Sequence, residues 1–209
     1  MAHTILLAGF GPYLEYETNL SGVIARQLNG KRIRNARIIG IELPTKHRLA
    51  AKMLREAVMK ENPDIIIGTG LAVKGHVSLE RVAINNFYTI GKVGESDETL
   101  EADGKMAYRS KLPLKKIRSA LQKGGIPAEY SFFAGTYMCN EAFYEIMKLA
   151  QEMKIRKAGF VHIPLSHQQA ISMRNPNLPS MDEKTIEKAV RMILAITVLA
   201  HEPKSSHFK

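Results

Sequence analysis

The chain of 209 residues contains a single cysteine. A framework of internal disulfides is therefore excluded, and the lone thiol favours a reducing compartment, so we expect a cytoplasmic protein. The first residues lack the basic segment and cleavage site of a secretory signal. The longest apolar run near the end, residues 192–200, is much shorter than the roughly 20 apolar residues of a membrane-spanning helix. We accordingly expect no membrane partner.

The motifs of metal and nucleotide sites are also missing. Seven histidines occur, but no pair has the His-Glu-x-x-His spacing, and one thiol does not make a zinc site. Two glycine pairs, Gly9-Phe-Gly11 and Gly68-Thr-Gly70, do not complete a dinucleotide fingerprint, and Pro12 removes a backbone donor. We expect neither a metal nor a cofactor. An enzyme of nucleosides or phosphates that uses Gly68-Thr-Gly70 as an anion cradle remains an alternative.

The net charge of +10 raises the possibility of a nucleic-acid-binding module. Lysine and arginine are dispersed along the chain, however, and the one dense basic cluster is residues 111–118. No zinc-finger spacing or aromatic–basic ribonucleoprotein motif accompanies them. We therefore expect a solvated basic surface and no nucleic-acid partner.

Short apolar segments alternate with amphipathic ones. The predicted strands are residues 4–9, 37–43, 64–68, 128–133 and 158–163, with one or two extended segments in 77–90. The predicted helices are residues 19–28, 47–60, 114–122, 140–153 and one that opens at 180–183. The expected caps are Asn19 or Ser21, Thr45, and a capping box from Ser180 to Glu183. Residues 91–105 are predicted as a loop and 201–209 as a frayed tail.

This alternation predicts a single catalytic domain over residues 1–209. Its fold class is α/β, a three-layer α/β/α sandwich around a mostly parallel twisted sheet. In such sheets the active site lies at the carboxyl ends of the strands. The residues that follow the strands are thus the first candidates for chemistry.

Cys139 lies in Gly135-Thr-Tyr-Met-Cys-Asn140, between a predicted strand and a predicted helix. At a helix N-terminus, free N–H groups and the positive end of the dipole favour a thiolate. The same N–H groups can stabilise the oxyanion formed when a thiolate attacks an amide. A buried inert cysteine is the alternative.

His162 lies in the apolar strand Gly159-Phe-Val-His-Ile-Pro164, and we expect it at the same edge of the sheet as Cys139. A cysteine–histidine pair supplies the nucleophile, base and acid that amide hydrolysis needs. Glu80, within a β-branched stretch, could orient the imidazole as the third member of a triad. The alternatives are a core histidine bonded to the backbone and an ion pair between Glu80 and Arg81.

Seven segments together resemble the pyroglutamyl peptidase I (pyrrolidone carboxyl peptidase) family. In family order they are Gly9-Phe-Gly-Pro-Tyr13, Glu42-Leu-Pro44, Gly70-Leu-Ala72, Glu80-Arg-Val-Ala-Ile-Asn85, Gly135-Thr-Tyr-Met-Cys-Asn140, Phe160-Val-His-Ile-Pro164 and Pro179-Ser-Met181. The resemblance implies an α/β/α fold, a cytoplasmic homotetramer, and a triad of Glu80, Cys139 and His162. It also implies that peptides with an N-terminal pyroglutamyl residue are hydrolysed after that residue through a thioester.

The resemblance further implies a pocket for the pyroglutamyl ring. Phe10 and Tyr13 would cover the ring, and Asn19 would match the polar residue of the pocket. Backbone groups near Leu71 and Met138 are candidate partners for the lactam amide.

Some positions depart from the family pattern. Tyr13 occupies a position where the family usually has Phe, Leu20 a position where it has Pro, and Met138 a position where it has Val. Lys74-Gly-His76 occupies the place of a stretch that in the family consists of a small residue, Gly and Arg. A family member that has lost activity and acts as a binding protein is the remaining alternative.

Overall fold

The computed structural model describes residues 3–13, 18–89, 95–175 and 177–200. In chain order its elements are β1 (Thr4–Phe10), α1 (Leu20–Leu28), β2 (Arg32–Ile33), β3 (Ala36–Leu43), α2 (Leu49–Glu61), β4 (Ile65–Ala72), β5 (Val77–Glu80), β6 (Val82–Ile84), β7 (Phe87–Thr89), β8 (Ser96–Glu98), β9 (Ala107–Arg109), α3 (Leu114–Lys123), β10 (Ala128–Ser131), α4 (Met138–Glu152), β11 (Lys157–Ser166), α5 (His167–Ser172), β12 (Ser180–Met181) and α6 (Glu183–Leu199). The predicted tail 201–209 lies outside the described residues.

A mostly parallel sheet forms the centre of the molecule. Its strands follow the order β10-β5-β11-β4-β1-β3-β2, and β12 pairs with β11. The β5–β11 and β2–β3 pairs are antiparallel, and the other neighbours in this sheet are parallel. Two small antiparallel ladders, β6–β9 and β7–β8, lie apart from it. The prediction of an α/β fold with a mostly parallel sheet is confirmed.

The side chains of β1 point alternately to the two faces of the sheet, and both faces are apolar and covered by helices. Ile5 and Leu7 pack in one core with residues of α1, α3 and α6, whereas Leu6 and Ala8 pack in a second core with α2 and α4. Both sets are almost completely buried, as expected for a strand inside a parallel sheet. The second core, between the sheet and α4, is the one that carries the candidate site.

Several helix ends differ from prediction. Asn19 caps α1 as expected, by accepting a hydrogen bond from the Ser21 N–H. Thr45 does not cap α2, because its hydroxyl donates to the Pro12 carbonyl instead. The predicted capping box at Ser180 is also wrong: Ser180 belongs to β12, and Asp182 caps α6 by accepting from the Thr185 N–H.

The strand predictions fail mainly where segments are short. The stretch 77–89 forms three strands, β5, β6 and β7, and part of the predicted loop 91–105 forms β8, which pairs with β7. Residues 90–94 lie outside the described residues. The predicted strand 128–133 ends at Ser131, and β11 continues to Ser166 beyond its predicted end.

Candidate active site

Three strands bring their side chains together on the face that α4 covers. In the register of the sheet, His162 of β11 pairs with Gly70 of β4 on one side and with Ser78 of β5 on the other. Phe160, two residues before His162 and on the same face, packs against Phe143 of α4 with ring centroids 5.9 Å apart. A row of glycine, histidine and serine therefore runs across the sheet beneath the start of α4.

Cys139 lies in the first turn of α4, one residue inside the helix rather than before it as predicted. The thiol is half-buried, and its sulfur lies directly above Gly70: a Cβ at Gly70 would be 2.7 Å from Cys139 Sγ. The missing side chain at Gly70 thus makes the space for the sulfur. In this position Cys139 is close to the free N–H groups of the helix N-terminus.

Asn140, which sequence reasoning did not single out, fixes α4 to the segment that follows Glu80. Its Oδ1 accepts from the Ile84 N–H at 3.0 Å, and its Nδ2 donates to the Ile84 and Asn86 carbonyls at 2.9 and 2.8 Å. The side chain is fully buried. Since Asn140 neighbours Cys139, these three bonds hold the thiol in place relative to the chain beyond Glu80.

The imidazole of His162 joins the thiol to a carboxylate. Nδ1 of His162 lies 2.8 Å from Oε1 of Glu80, and Cys139 is close enough to interact electrostatically with the same ring. Glu80 is fully buried, and His162 is 7% exposed. The proposed alternative of an ion pair between Glu80 and Arg81 is wrong, because the Arg81 guanidinium lies over the rings of Tyr130 and Phe132.

The surroundings of His162 favour its charged form. Burial opposes protonation of the ring, but Cys139 and then Glu80 outweigh it and raise the pKa of His162 from its ordinary 6.5 to about 9. A positively charged imidazolium beside a cysteine sulfur favours the thiolate as the nucleophile. The three groups can thus supply a nucleophile, an acid and an orienting carboxylate.

A cavity of about 310 Å³ opens beside the thiol. The residues singled out from the sequence all contribute to it apart from Glu80: Phe10, Tyr13, Asn19, Leu71, Met138, Cys139 and His162. Sequence reasoning missed several further lining residues: Thr45, Ala72, Val73, Ala134, Gly135, Tyr137 and Leu165. Of these, Tyr137 had the clearest signal, since it stands two residues before the cysteine.

Aromatic rings and hydrogen bonds hold the walls of this cavity. The ring centroids of Tyr13 and Tyr137 are 5.5 Å apart, and those of Tyr137 and Phe87 are 5.2 Å apart. Ser21 Oγ accepts from the Phe10 N–H at 3.0 Å and donates to Asn19 Oδ1 at 2.7 Å. Asn19 therefore orders the segment that carries Phe10, in addition to lining the cavity.

The alternative of an anion cradle at Gly68-Thr-Gly70 does not fit the structure. These residues lie inside β4, and Thr69 donates its hydroxyl to the Ala8 carbonyl. Across the described ranges, no three His, Cys, Asp or Glu side chains are grouped to hold a metal ion. The same ranges contain no helix long and apolar enough to cross a membrane.

Comparison with known proteins gives a consistent result. The family model for pyroglutamyl peptidase matches residues 3–202. The pyrrolidone-carboxylate peptidase of Halalkalibacterium halodurans is 35% identical over 93% of this chain and 98% of that protein. The protein of the same name from Bacillus subtilis is 35% identical, over 97% of this chain and 95% of its own.

Solved structures extend the likeness to the fold. The pyrrolidone carboxyl peptidase of Thermococcus litoralis superimposes with a TM-score of 0.91 at 28% identity, over 99% of this chain and 98% of that one. A mutant pyrrolidone carboxyl peptidase from the hyperthermophile Pyrococcus furiosus gives 0.91 at 29% identity, over 95% and 100% of the two chains.

Proposed function

The chain belongs to the pyroglutamyl peptidase family, whose activity is the removal of N-terminal pyroglutamate, and from this premise we propose a cysteine mechanism with a thioester intermediate. Cys139 is the nucleophile, His162 the acid and base, and Glu80 the orienting carboxylate. The observation that carries the proposal is the buried chain of contacts from Glu80 through His162 to a thiol at the edge of an apolar cavity.

The reaction begins with the thiolate of Cys139 and the imidazolium of His162. The sulfur attacks the carbonyl carbon that joins pyroglutamate to the next residue, and backbone N–H groups at the start of α4, including that of Cys139, hold the oxyanion. His162 then gives its proton to the departing amine as the C–N bond breaks, which leaves a thioester. A water molecule, deprotonated by His162, attacks the thioester, and pyroglutamate leaves as the thiolate forms again.

The cavity suits a neutral five-membered lactam. Such a ring has no free α-amine, so its pocket needs apolar walls and a few groups for the lactam amide. Phe10 and Tyr13 cover the ring faces. Asn19 Oδ1 is already engaged by Ser21, so we assign its Nδ2 to the lactam carbonyl. Backbone groups of Leu71 and Met138 complete the set.

Location and assembly are part of the same proposal. A site that depends on one reduced thiol is suited to the cytoplasm. A homotetramer would cover apolar surface, and Phe132 and Phe133 are 66% and 60% exposed in the single chain. Tyr88 is 39% exposed as well, whereas its neighbour Phe87 is buried and cannot contribute to such an interface. Sedimentation velocity on the purified chain measures the assembly directly.

The experiment for the reaction is hydrolysis of a pyroglutamyl anilide, with and without prior alkylation by iodoacetamide. We expect release of the anilide from the untreated chain and its loss after alkylation. Cys139→Ala should abolish the activity and keep the circular dichroism and melting temperature close to those of the original chain. Activity that persists in Cys139→Ala would rule out the nucleophile.

The same assay separates the remaining alternatives. A nucleic-acid-binding module predicts salt-dependent binding to nucleic acid and no hydrolysis. An inactive family member predicts binding of a pyroglutamyl peptide with no anilide release, before or after alkylation.

A further inference from the structure

Two polar atoms beside the candidate triad have no hydrogen-bond partner among the residues that the structure describes. One is Oε2 of Glu80, the carboxylate oxygen that does not face His162; the other is the hydroxyl of Ser78. Both residues are 0% exposed. An unpaired buried carboxylate oxygen and an unpaired buried hydroxyl each cost free energy on folding, so two such atoms near one imidazole call for a common explanation.

The sheet places the two orphaned atoms on the same side. Ser78 and Glu80 are two residues apart on β5, so their side chains leave the strand on one face. Ser78 is the antiparallel partner of His162, whose side chain lies on that face as well. Cross-strand partners have Cβ atoms about 4.5–5.5 Å apart. Ser78 therefore flanks the imidazole that Glu80 binds.

The chemistry of the two atoms is complementary. A carboxylate oxygen accepts hydrogen bonds, and a serine hydroxyl donates one and accepts two. A buried water is stable where it can reach two to four polar groups, and it can carry a hydrogen bond between groups that do not touch.

We propose that Ser78 is a positioning residue of this site: its hydroxyl, through one buried water, supplies the hydrogen bond to Glu80 Oε2. The inference rests on the proposed function, because it assigns a role within the same triad. The hydrogen bond satisfies the second oxygen of the buried carboxylate and fixes the carboxylate plane, with Oε1 toward His162 Nδ1. Ser78 acts through Glu80 and His162 and touches neither substrate nor the reacting atoms.

Loss of the Ser78 hydroxyl would act on the groups that stabilise the His162 imidazolium. They are Cys139 from α4 and Glu80 from β5. Without the donor, the Glu80 carboxylate is held less firmly against Nδ1, so it supports the His162 imidazolium less well and the raised pKa of His162 falls back toward its ordinary value. The imidazolium in turn gives less support to the Cys139 thiolate.

The test compares Ser78→Val with Ser78→Thr. The two substitutions have nearly the same shape in a strand, but threonine keeps the hydroxyl and valine excludes both the hydroxyl and a replacement water. We expect Ser78→Val to lower kcat at least about tenfold with little change in KM, a loss of the size expected for one hydrogen bond to a charged group. Ser78→Thr should stay within about threefold of the original chain, a loss too small for a missing charged hydrogen bond.

Two pH profiles separate positioning from mere packing. In Ser78→Val, the basic limb of kcat/KM, which His162 sets, should move to lower pH, and alkylation of Cys139 by iodoacetamide should need a higher pH than in the original chain. Thr197→Val, which removes a fully buried hydroxyl from α6, should leave both profiles unchanged. The alkylation profile needs no substrate, so it tests Ser78 even if the peptidase activity itself were absent.

The opposite pattern would overturn the proposal. Equal kcat and equal pH profiles in Ser78→Val and Ser78→Thr would mean that the hydroxyl has no role. A loss of activity in Ser78→Val without any shift in either profile would assign Ser78 to packing alone.

Discussion

Substitution of Gly70 by alanine should disable the site by moving its sulfur. The added Cβ would lie 2.7 Å from Cys139 Sγ and 3.1 Å from Cζ of Phe160. Unstrained contacts between such atoms need about 3.5–4.0 Å, so the thiol must retreat by about 1 Å. The backbone of Gly70 does not have a positive φ, and alanine itself is therefore tolerated there. The expected effect of the substitution on the site is therefore steric.

A displacement of about 1 Å at a reacting atom can lower a rate about 100-fold. Overpacking of the core should in addition reduce the free energy of unfolding by about 1–3 kcal/mol. The assay is single-turnover acylation of Cys139 by a pyroglutamyl anilide, combined with urea denaturation of the same sample.

Gly68→Ala is the matched control. Gly68 lies two residues earlier on β4 and on the same face. Its added Cβ would be 2.5 Å from Cδ2 of Phe160 and 2.7 Å from Cδ1 of Ile146, and its three nearest atoms belong to these two side chains and not to Cys139. It should destabilise the fold comparably and keep most of the acylation rate. If Gly70→Ala acylated Cys139 as fast as the original chain, or if Gly68→Ala lost as much of the acylation rate as Gly70→Ala, the argument that Gly70 makes room for the thiol would be refuted.

The triad and its anchor on α4 give three further predictions. Because the pKa of His162 is about 9 and its proton is needed by the leaving amine, kcat/KM should fall as pH rises through about 9; a profile still rising above that pH would contradict the imidazolium. Glu80→Gln should lower kcat by about 10²–10⁴ and leave measurable turnover, since the orienting group is less essential than the base; an unchanged rate would remove Glu80 from the mechanism. Asn140→Ala leaves two carbonyls and one N–H without their hydrogen-bond partner. It should lower the free energy of unfolding, measured by urea denaturation, by at least about 2 kcal/mol and should also slow acylation of Cys139. An unchanged free energy of unfolding would show that the three bonds are dispensable.

Long helices were predictable from the sequence because apolar residues at helical spacing indicate both the helix and its buried face. In α6 the spacing of Ile186, Val190, Ile193 and Leu194 predicts one buried face, and all four residues are buried. In α2 the spacing of Leu49, Met53, Leu54 and Val58 predicts one buried face; Leu54 and Val58 are buried, together with Ala50, but Leu49 and Met53 are 43% and 40% exposed. Apolar side chains at helical spacing allow more than one face, and the contact with the sheet decides between them.

Caps and short strands depend on tertiary contacts that local sequence does not contain. Ser180 was the predicted cap of α6, but it pairs with β11 as part of β12, and Asp182 caps the helix instead. The strands β6 to β9 have three residues each, too few for a period to be recognised.

The candidate site was predictable to the extent that its chemistry is carried by rare residue types. A lone cysteine, a histidine in an apolar strand and an acid in a β-branched stretch each stand out, whereas Gly70, Ser78 and Asn140 are common residues whose importance comes from the sheet register and from contacts with α4. His162 was expected at the end of its strand, but β11 continues for four residues beyond it. The histidine reaches Cys139 because α4 begins directly above that part of the sheet.

The most direct test of the cysteine mechanism is rapid-quench mass spectrometry of the chain mixed with a pyroglutamyl anilide. We predict a transient gain of one pyroglutamyl group, located on the peptide that contains Cys139, formed at the rate of anilide release and lost on treatment with hydroxylamine. Full turnover with no acylated Cys139 at any time, or acylation of another residue, would contradict the account.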